Sequence, residues 1–456
     1  MKKIISLVLV LTMALSLMAC GGGKATTEEI TKEEATTEET TTEKTTKVES
    51  NTEGVTISIL SRYGDDTAVD AKAFRQGIEE YKKAHPEVTV VDESITDETQ
   101  FNSKFKITMA TGDMPTIFMT YGGGTAKSYV ESGLVADLTS YFDNNQEWYD
   151  TFLPSMFDMI SFDGIEGVYG VPYAAYADSL FCNKAMFDEY GIKIPTTIEE
   201  FEVACEKFLE NGIVPLPIGD KSTFRGGHLF TLLMAKRSGN ELAVKLANRE
   251  TTYSDEAVKD ILTTMKSWAD KGYLGDSITT LDGEGECQLF LTAQSPMDFR
   301  NAYFIGRVTG EMENPDDVVN VSFPYYEEYP EYQNAWHGGS GDIFSISALA
   351  TEAEKEAAIE LLKTCTQAKY MEQRNIESSG GFVSVLKDNA PIENQPQITT
   401  DFKANFAKME SLLTEPAEYD SNSGLRDATR TGIQAMWAGD SIEAVIESIQ
   451  TIIETE

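Results

Sequence analysis

Two hydrophobic periods alternate along the chain. VTISIL at Val55–Leu60 reads as a strand, the polar turn Ser61–Asp66 follows, and Phe74, Ile78 and Tyr81 then recur at helical spacing up to His85-Pro86. Val88–Val91 predicts the next strand. The result is a β-loop-α-β unit whose loop lies at the carboxyl end of a strand, where open α/β sheets hold ligands. Ile117–Thr120 predicts another strand, running into Tyr121-Gly122-Gly123-Gly124. That glycine run lacks both the Gly-Lys-Ser/Thr of a P-loop and the GxGxxG order, so it argues against a nucleotide cradle. Its simpler use is to leave Tyr121 uncrowded at a strand end.

The pattern changes at Val168–Gly191. Val168–Val171 and Asp178–Cys182 predict two short strands joined through Pro172-Tyr173. Asn183 then stands at an N-cap position and Gly191 at a C′ position, bounding a helix Lys184–Tyr190. Such a joint suits a chain leaving one domain for another. Beyond it, Thr197 with Glu200 predicts a capping box for a helix that carries Ile198, Phe201, Cys205 and Phe208 on one face. A strand Ile213–Ile218, a polar loop Gly219–Gly227 and an apolar helix His228–Arg237 are expected next, with His228 as the helix's N-terminal polar residue. Trp268 reads as core. Val319–Pro324 and Ile343–Ile346 predict strands, and Ala353–Gln367 a helix. The final helix opens at Asp440-Ser441, with Ile442, Val445, Ile446, Ile449 and Ile452 inward.

Composition narrows the function. The 456 residues suffice for two domains, and 75 acidic against 37 basic residues give a net charge of −38. Such a chain repels phosphate backbones, which excludes nucleic acid as a partner. At the N-terminus Lys2 and Lys3 precede the apolar run Ile4–Ala19, a targeting segment too short to span a bilayer comfortably. Thr26–Ser50 repeats with a period of five and has almost nothing to bury, so it predicts a disordered tether. Cys182, Cys205, Cys287 and Cys365 are widely spaced in apolar contexts and predict buried free thiols. No CxxC or Cys/His spacing points to zinc, and no metal or other cofactor is expected. Three histidines leave little scope for histidine chemistry.

Several strings carry a family resemblance. Leu17-Met18-Ala19-Cys20-Gly21 resembles the bacterial lipobox, which implies cleavage before Cys20 and its lipidation. YGVPY at Tyr169–Tyr173 with CNKAMFDEYG at Cys182–Gly191 resembles the inter-lobe crossover of the family 1 extracellular solute-binding proteins, the sugar-binding components of bacterial ABC importers. Gly112–Phe118 and Gly133–Leu138 resemble further motifs of that family. So do Phe290 and Met297, although Ala293, Asn301 and Tyr303 stand where glycine, glycine and tryptophan are commonest. The resemblance covers essentially Val55–Glu456. It implies an α/β, two-lobed periplasmic-binding-protein-like type II fold with hinge crossovers, the second and third at Val319–Pro324 and Trp336–Asp342. The implied plan is a signal peptide over 1–19, a lipid-anchored linker over 20–54, one lobe from 55–172 with 322–340, and a second from 173–321 with 341–456. It also implies a monomeric, membrane-anchored receptor on the extracytoplasmic face that passes a carbohydrate to ABC transporter permease subunits.

Sugar rings present apolar C–H faces and a belt of hydroxyls, which suit aromatic faces and planar polar groups. The strand-end loops offer Arg62, Tyr63 and Asp65; Tyr121; Tyr173 and Tyr176; Phe224 and Arg225; Arg300, Asn301 and Tyr303; and Trp336 and Asp342. A surface carbohydrate-active enzyme using two carboxylates is the rival reading, but with 75 acids a close pair arises by chance. No nucleophile elbow or HExxH occurs. A receptor feeding a sensor kinase, or one for a non-sugar solute, fits the same two-lobe plan.

Overall fold

A computed structural model of the protein describes residues 54–65, 69–162, 164–387, 394–420, 422 and 424–455. The signal segment, Cys20 and the Thr/Glu repeat lie outside the described residues. Eight strands occur among those described: β1 Thr56–Leu60, β2 Thr89–Asp92, β3 Ile117–Thr120, β4 Val171–Asn183, β5 Met297–Asn301, β6 Val318–Val321, β7 Ala335–Ile346 and β8 Ser411–Leu413. They follow the order β2-β1-β3-β7-β4-β5, with β6 also on β4 and β8 on β7.

Two long strands join what are otherwise two separate sheets. The first part of β4, Val171–Ala177, pairs antiparallel with Phe344–Gly338 of β7. The end of β7 continues onto β3, with Ile346 opposite Ile117. Past Ala177, β4 instead takes β5 on one side and β6 on the other. The start of β7 takes β8. Each long strand therefore belongs to one sheet at one end and to the other sheet at its other end.

The packing divides along this ribbon. One core gathers Ile57, Phe74, Phe118, Leu138, Ile160, Tyr173, Phe344, Leu361 and Leu386. A second gathers Leu180, Phe201, Leu233, Trp268, Phe299, Phe323, Ile433 and Ile449. A satellite of the second holds Phe181, Phe290, Trp336 and Phe402. This reverses the expected assignment of two segments. Residues 322–340 pack with the second half, through Phe323, Ala335 and Trp336. Residues 343–386 pack with the first, where the helix Glu352–Cys365 lies on the helix Val69–Ala84. The cause is the length of β7, which starts in one core and ends in the other.

The expected crossovers change with it. Val318–Val321 is an edge strand of the second half, not a crossing. β4 and β7 are the two strand crossings. The chain returns to the second half between the helices Ala368–Glu377 and Gln397–Phe406, partly outside the described residues.

Local expectations mostly hold. Asn183 Oδ1 accepts from Met186 N at 3.2 Å to start the helix Lys184–Glu189, and Gly191 has φ +61°. Ala293, where glycine is commonest in the resembling family, has φ +54°, which supplies the physical reason for that preference. Cys182, Cys205, Cys287 and Cys365 are buried free thiols.

Four local expectations are corrected. The two short strands around Pro172 are one, because the missing N–H falls where the register against β7 shifts. Thr197 caps Glu200 N at 3.2 Å, but the Glu200 carboxylate turns to Thr196 N, so the box is not reciprocal. Ile213–Ile218 forms no ladder; it makes single bonds from Leu216 to Tyr273 and from Ile218 to Leu274. The next helix starts at Phe224, because Asp220 Oδ1 accepts from Gly226 N at 2.8 Å and draws the glycines into its first turn.

The first half turns on one aromatic knot. Phe74 stacks on Phe344 at 4.4 Å and 6°, with Tyr63 and Tyr173 edge-on or tilted against the pair. Truncating a fully buried phenylalanine leaves a cavity as well as removing transfer energy. Phe74→Ala is expected to cost about 3–5 kcal/mol, read as a lower midpoint in denaturant unfolding. A change below about 1 kcal/mol would mean the knot does not hold β7 to the first half.

Candidate functional site

Side chains converge from both halves where β4 and β7 overlap. On the first half, the loop after β1 supplies Arg62 and Tyr63, the end of β3 supplies Tyr121, β7 supplies Asp342 and β4 supplies Tyr173. Tyr63, Tyr173 and Asp342, with Tyr303 just past the end of β5, gather around Arg374. Arg374 is fully buried; its Nη1 donates to the Tyr173 carbonyl at 2.9 Å and its Nη2 to the Tyr63 hydroxyl at 3.4 Å. Its guanidinium carbon lies 4.3 Å from the Tyr173 ring centre, 4.5 Å from that of Phe382 and 5.5 Å from that of Tyr303. Tyr63 in turn donates its hydroxyl hydrogen to Asp342 Oδ2.

Arg62 is half-buried, 3.5 Å from Glu98, and lies beside the Tyr121 hydroxyl. Burial pushes the Tyr121 phenol up to about 12, so it stays an O–H donor at any physiological pH. The hydroxyls of Thr120 and Ser340 are buried with no hydrogen-bond partner among the described residues. Each is hydrogen-bonding capacity that the chain itself does not fill. Asp65 is half-buried and engaged in an interaction of its own.

On the second half, Tyr176, Phe224 and His228 form a half-buried aromatic face. Tyr176 lies nearly parallel to His228, 5.9 Å between centres, and Phe224 meets His228 edge-on at 5.3 Å. Behind them sits Asp178, whose Oδ2 is 3.1 Å from His228 Nδ1 and 2.9 Å from His337 Nδ1. Burial would raise the Asp178 carboxyl, but the two imidazoles hold it far below the usual carboxylate range. Burial lowers His228.

Arg225 and Arg300 form a buried quartet with Glu286 and Asp298. Arg225 reaches Glu286 at 2.7 Å, and Arg300 reaches Glu286 at 3.2 Å and Asp298 at 2.7 Å. Two cations and two carboxylates make the group neutral overall, the condition under which charges tolerate burial.

The halves also touch. The helix Gly123–Glu131 of the first half abuts Glu418–Asp420 of the second. A Cβ on Gly124 would overlap the Asp420 carbonyl oxygen, and one on Gly123 would lie 2.5 Å from Glu418 Oε2. The glycine run thus lets two backbones meet. Glu418 pairs with Arg426 at 2.8 Å and Glu415 with Arg430 at 3.0 Å, so the acids behind this contact are neutralised locally.

Of the candidates named from the sequence, Tyr63, Tyr173, Tyr303 and Asp342 lie around Arg374, Arg62 and Tyr121 lie beside each other, and Tyr176 and Phe224 both lie against His228. Tyr303, expected in the second lobe, packs against the first core. Three assignments are corrected. Trp336 is 2% exposed, edge-on to Phe402 and Phe406, and is core, because its side of β7 faces the satellite cluster. Arg225 is 2% exposed and bound to Glu286 and the Phe299 carbonyl, so it belongs to the interior and not to an accessible face. Tyr173 is fully buried and supports Arg374 from below. Asn301 accepts from Tyr303 N at 3.1 Å and shapes the turn. Sequence reasoning missed Arg374, Asp178, His228, His337, Glu415 and Glu418. A usable signal existed for two of these: Asp178 and His337 are charged or polar residues inside otherwise apolar or glycine-rich strands.

Comparison with known proteins bears on the fold and the family. Relatives include a multiple sugar-binding protein of Streptococcus mutans, 23% identical over 48% of this chain and 55% of that one. A melibiose/raffinose/stachyose-binding protein of Bacillus subtilis is 27% identical over 39% and 40%. An uncharacterized ABC transporter extracellular-binding protein of Pyrococcus horikoshii is 22% identical over 53% and 54%. The chain spans about half the length of these curated relatives. Among solved structures, a chitin oligosaccharide binding protein superposes with TM-score 0.81 at 21% identity, covering 88% of this chain and 99% of that one. A solute-binding protein in complex with raffinose gives 0.69 at 16%, covering 87% and 98%. At these identities the superpositions establish the two-lobed α/β fold. Residues 64–372 match the family model described as bacterial extracellular solute-binding protein, and the chain belongs to that family.

Proposed function

We propose that the protein binds a carbohydrate in the seam between its halves and delivers it to the permease of an ABC transporter, held at the membrane through a lipid on Cys20. Each half is one lobe, residues 54–170 with 343–386 forming the first and 178–337 with 394–455 the second. The observation that carries the reading is the two-sided seam. On this reading Tyr121 and Arg62 face it from one lobe, and Tyr176, Phe224 and His228 from the other. An aromatic face takes the C–H side of a pyranose, while the phenol, guanidinium and free hydroxyls take its hydroxyl belt. Relatives named for melibiose, raffinose and stachyose, and for multiple sugars, support the same ligand class. Binding without turnover agrees with the family, and the seam's carboxylates Glu415, Glu418 and Asp342 each have a cation or hydroxyl partner.

A thermal-shift screen over a panel of mono- and oligosaccharides tests the ligand class, since a solute bound only by the folded state raises Tm as its concentration passes Kd. No shift with any sugar, and a shift with peptides or polyamines, would overturn it. With the best sugar, Tyr121→Ala is expected to weaken binding at least tenfold by calorimetry, with little loss of Tm. Trp336→Ala should do the opposite, lowering Tm while the folded fraction binds normally.

Gly124→Ala tests closure. Alanine is favoured over glycine inside a helix, yet its methyl would block the Asp420 contact. The variant should fold normally and lose the ligand-induced fall in radius of gyration that wild type shows in small-angle scattering. A wild-type-like compaction would mean the lobes do not close through this contact. Cys20→Ala should release or misprocess the protein; normal processing and membrane retention would refute the anchor.

A further inference from the structure

We infer that Asp178, His228 and His337 form a binding site for one transition-metal dication, with zinc the best fit to the donor set. This does not depend on the carbohydrate reading. Among the described residues this is the one place where three ligating side chains gather, with all their ligand atoms within 4.8 Å of one another. Both Nδ1 atoms converge on the same carboxylate oxygen, at 3.1 and 2.9 Å. Tetrahedral zinc with bonds near 2.0–2.1 Å needs ligand atoms about 3.3 Å apart, close to both carboxylate–imidazole separations.

The outer sides of the rings strengthen the case. His228 Nε2 points toward Glu415 Oε1 at 4.0 Å, and His337 Nε2 lies 3.5 Å from the Tyr176 hydroxyl. A neutral imidazole has one N–H, and a carboxylate only accepts. His228 Nδ1 has Asp178 Oδ2 as its hydrogen-bond partner, while Nε2 faces Glu415 Oε1 beyond hydrogen-bond reach. A metal on the Nδ1 side would replace the hydrogen bonds to Asp178. It takes both Nδ1 lone pairs and Asp178 Oδ2, and leaves each Nε2–H directed at an outer oxygen, the arrangement that orients zinc-bound histidines. Nitrogen-rich donors with one carboxylate favour zinc, copper or nickel over magnesium or calcium.

The three ligands come from rigid elements: β4, the first turns of the helix Phe224–Ser238, and β7. Asp178 and His337 are buried, while the His228 side chain keeps 17% of its surface, so an ion has a route in from the seam. No sequence motif could announce the site, since 50 residues separate Asp178 from His228 and 159 separate it from His337.

The background for a test is low, because the remaining histidine, His85, is exposed on the first half beside Glu87 and the four described cysteines are buried. The full chain, stripped with chelator, is titrated with zinc chloride by calorimetry and followed by thermal shift. One zinc per chain is expected, with a rise in Tm that magnesium and calcium do not reproduce. His228→Gln should weaken zinc binding at least tenfold and His85→Gln should leave it unchanged. Cobalt added to wild type should give the visible ligand-field bands of a four- or five-coordinate site, a readout that needs no variant to fold. A stripped wild-type chain that binds zinc no better than His228→Gln, or one whose cobalt spectrum is that of the hexa-aqua ion, overturns the site.

Discussion

The antiparallel pairing of Val171–Ala177 with Gly338–Phe344 is the constraint on which the rest of the structure depends. It is a short ribbon that belongs to neither sheet alone. Each strand leaves the ribbon into a different core, so the backbone that joins the halves is continuous with the hydrophobic interior of both. Bending here requires only small changes over a few residues, while each core moves as a packed body. Crossing twice through paired strands also keeps the ladder hydrogen bonds satisfied at the joint. A single unpaired linker would expose them.

The ribbon also explains why the polar residues concentrate where they do. Asp178 is the first residue of β4 after its pairing with β7 ends, and Asp342 lies where β7 passes from one core to the other. Side chains at such positions face neither core fully. Buried and half-buried charges persist because each has partners: Asp342 with Tyr63, Asp178 with two imidazoles, Arg374 with tyrosine rings and a carbonyl, and the Arg225–Glu286 pair with Arg300 and Asp298. Removing one member would strand the others in low dielectric, so these networks position the seam more than they stabilise it.

Glycine has a separate role at the rim. Gly123 and Gly124 bring helix backbone against the backbone of Glu418–Asp420, a contact no side chain could occupy. The lobes thus meet through main chain, with paired acids and arginines behind. Electrostatic neutrality at that contact matters in a chain carrying a net charge of −38.

Local signals were legible because they need only neighbours. Alternating and 3.6-residue patterns located β1, β3, the capped helix after Asn183 and the final helix, and the order of short motifs carried the family resemblance. Strand-end loops rich in Arg and Tyr suggested Arg62, Tyr121 and Tyr303 as site candidates, whereas Tyr63, from the same loop, is buried in the first core. What the sequence could not supply is set by pairing across long separations. Whether 322–340 or 343–386 belongs to the first half depends on which strand β7 pairs with along its length, and both segments have equally apolar faces. Trp336 is an aromatic in a strand like many others, and only the satellite core on one side of β7 makes it structural. Asp178, His228 and His337 met because β4, β7 and a helix cross at one point, a coincidence of three distant segments that no local period encodes.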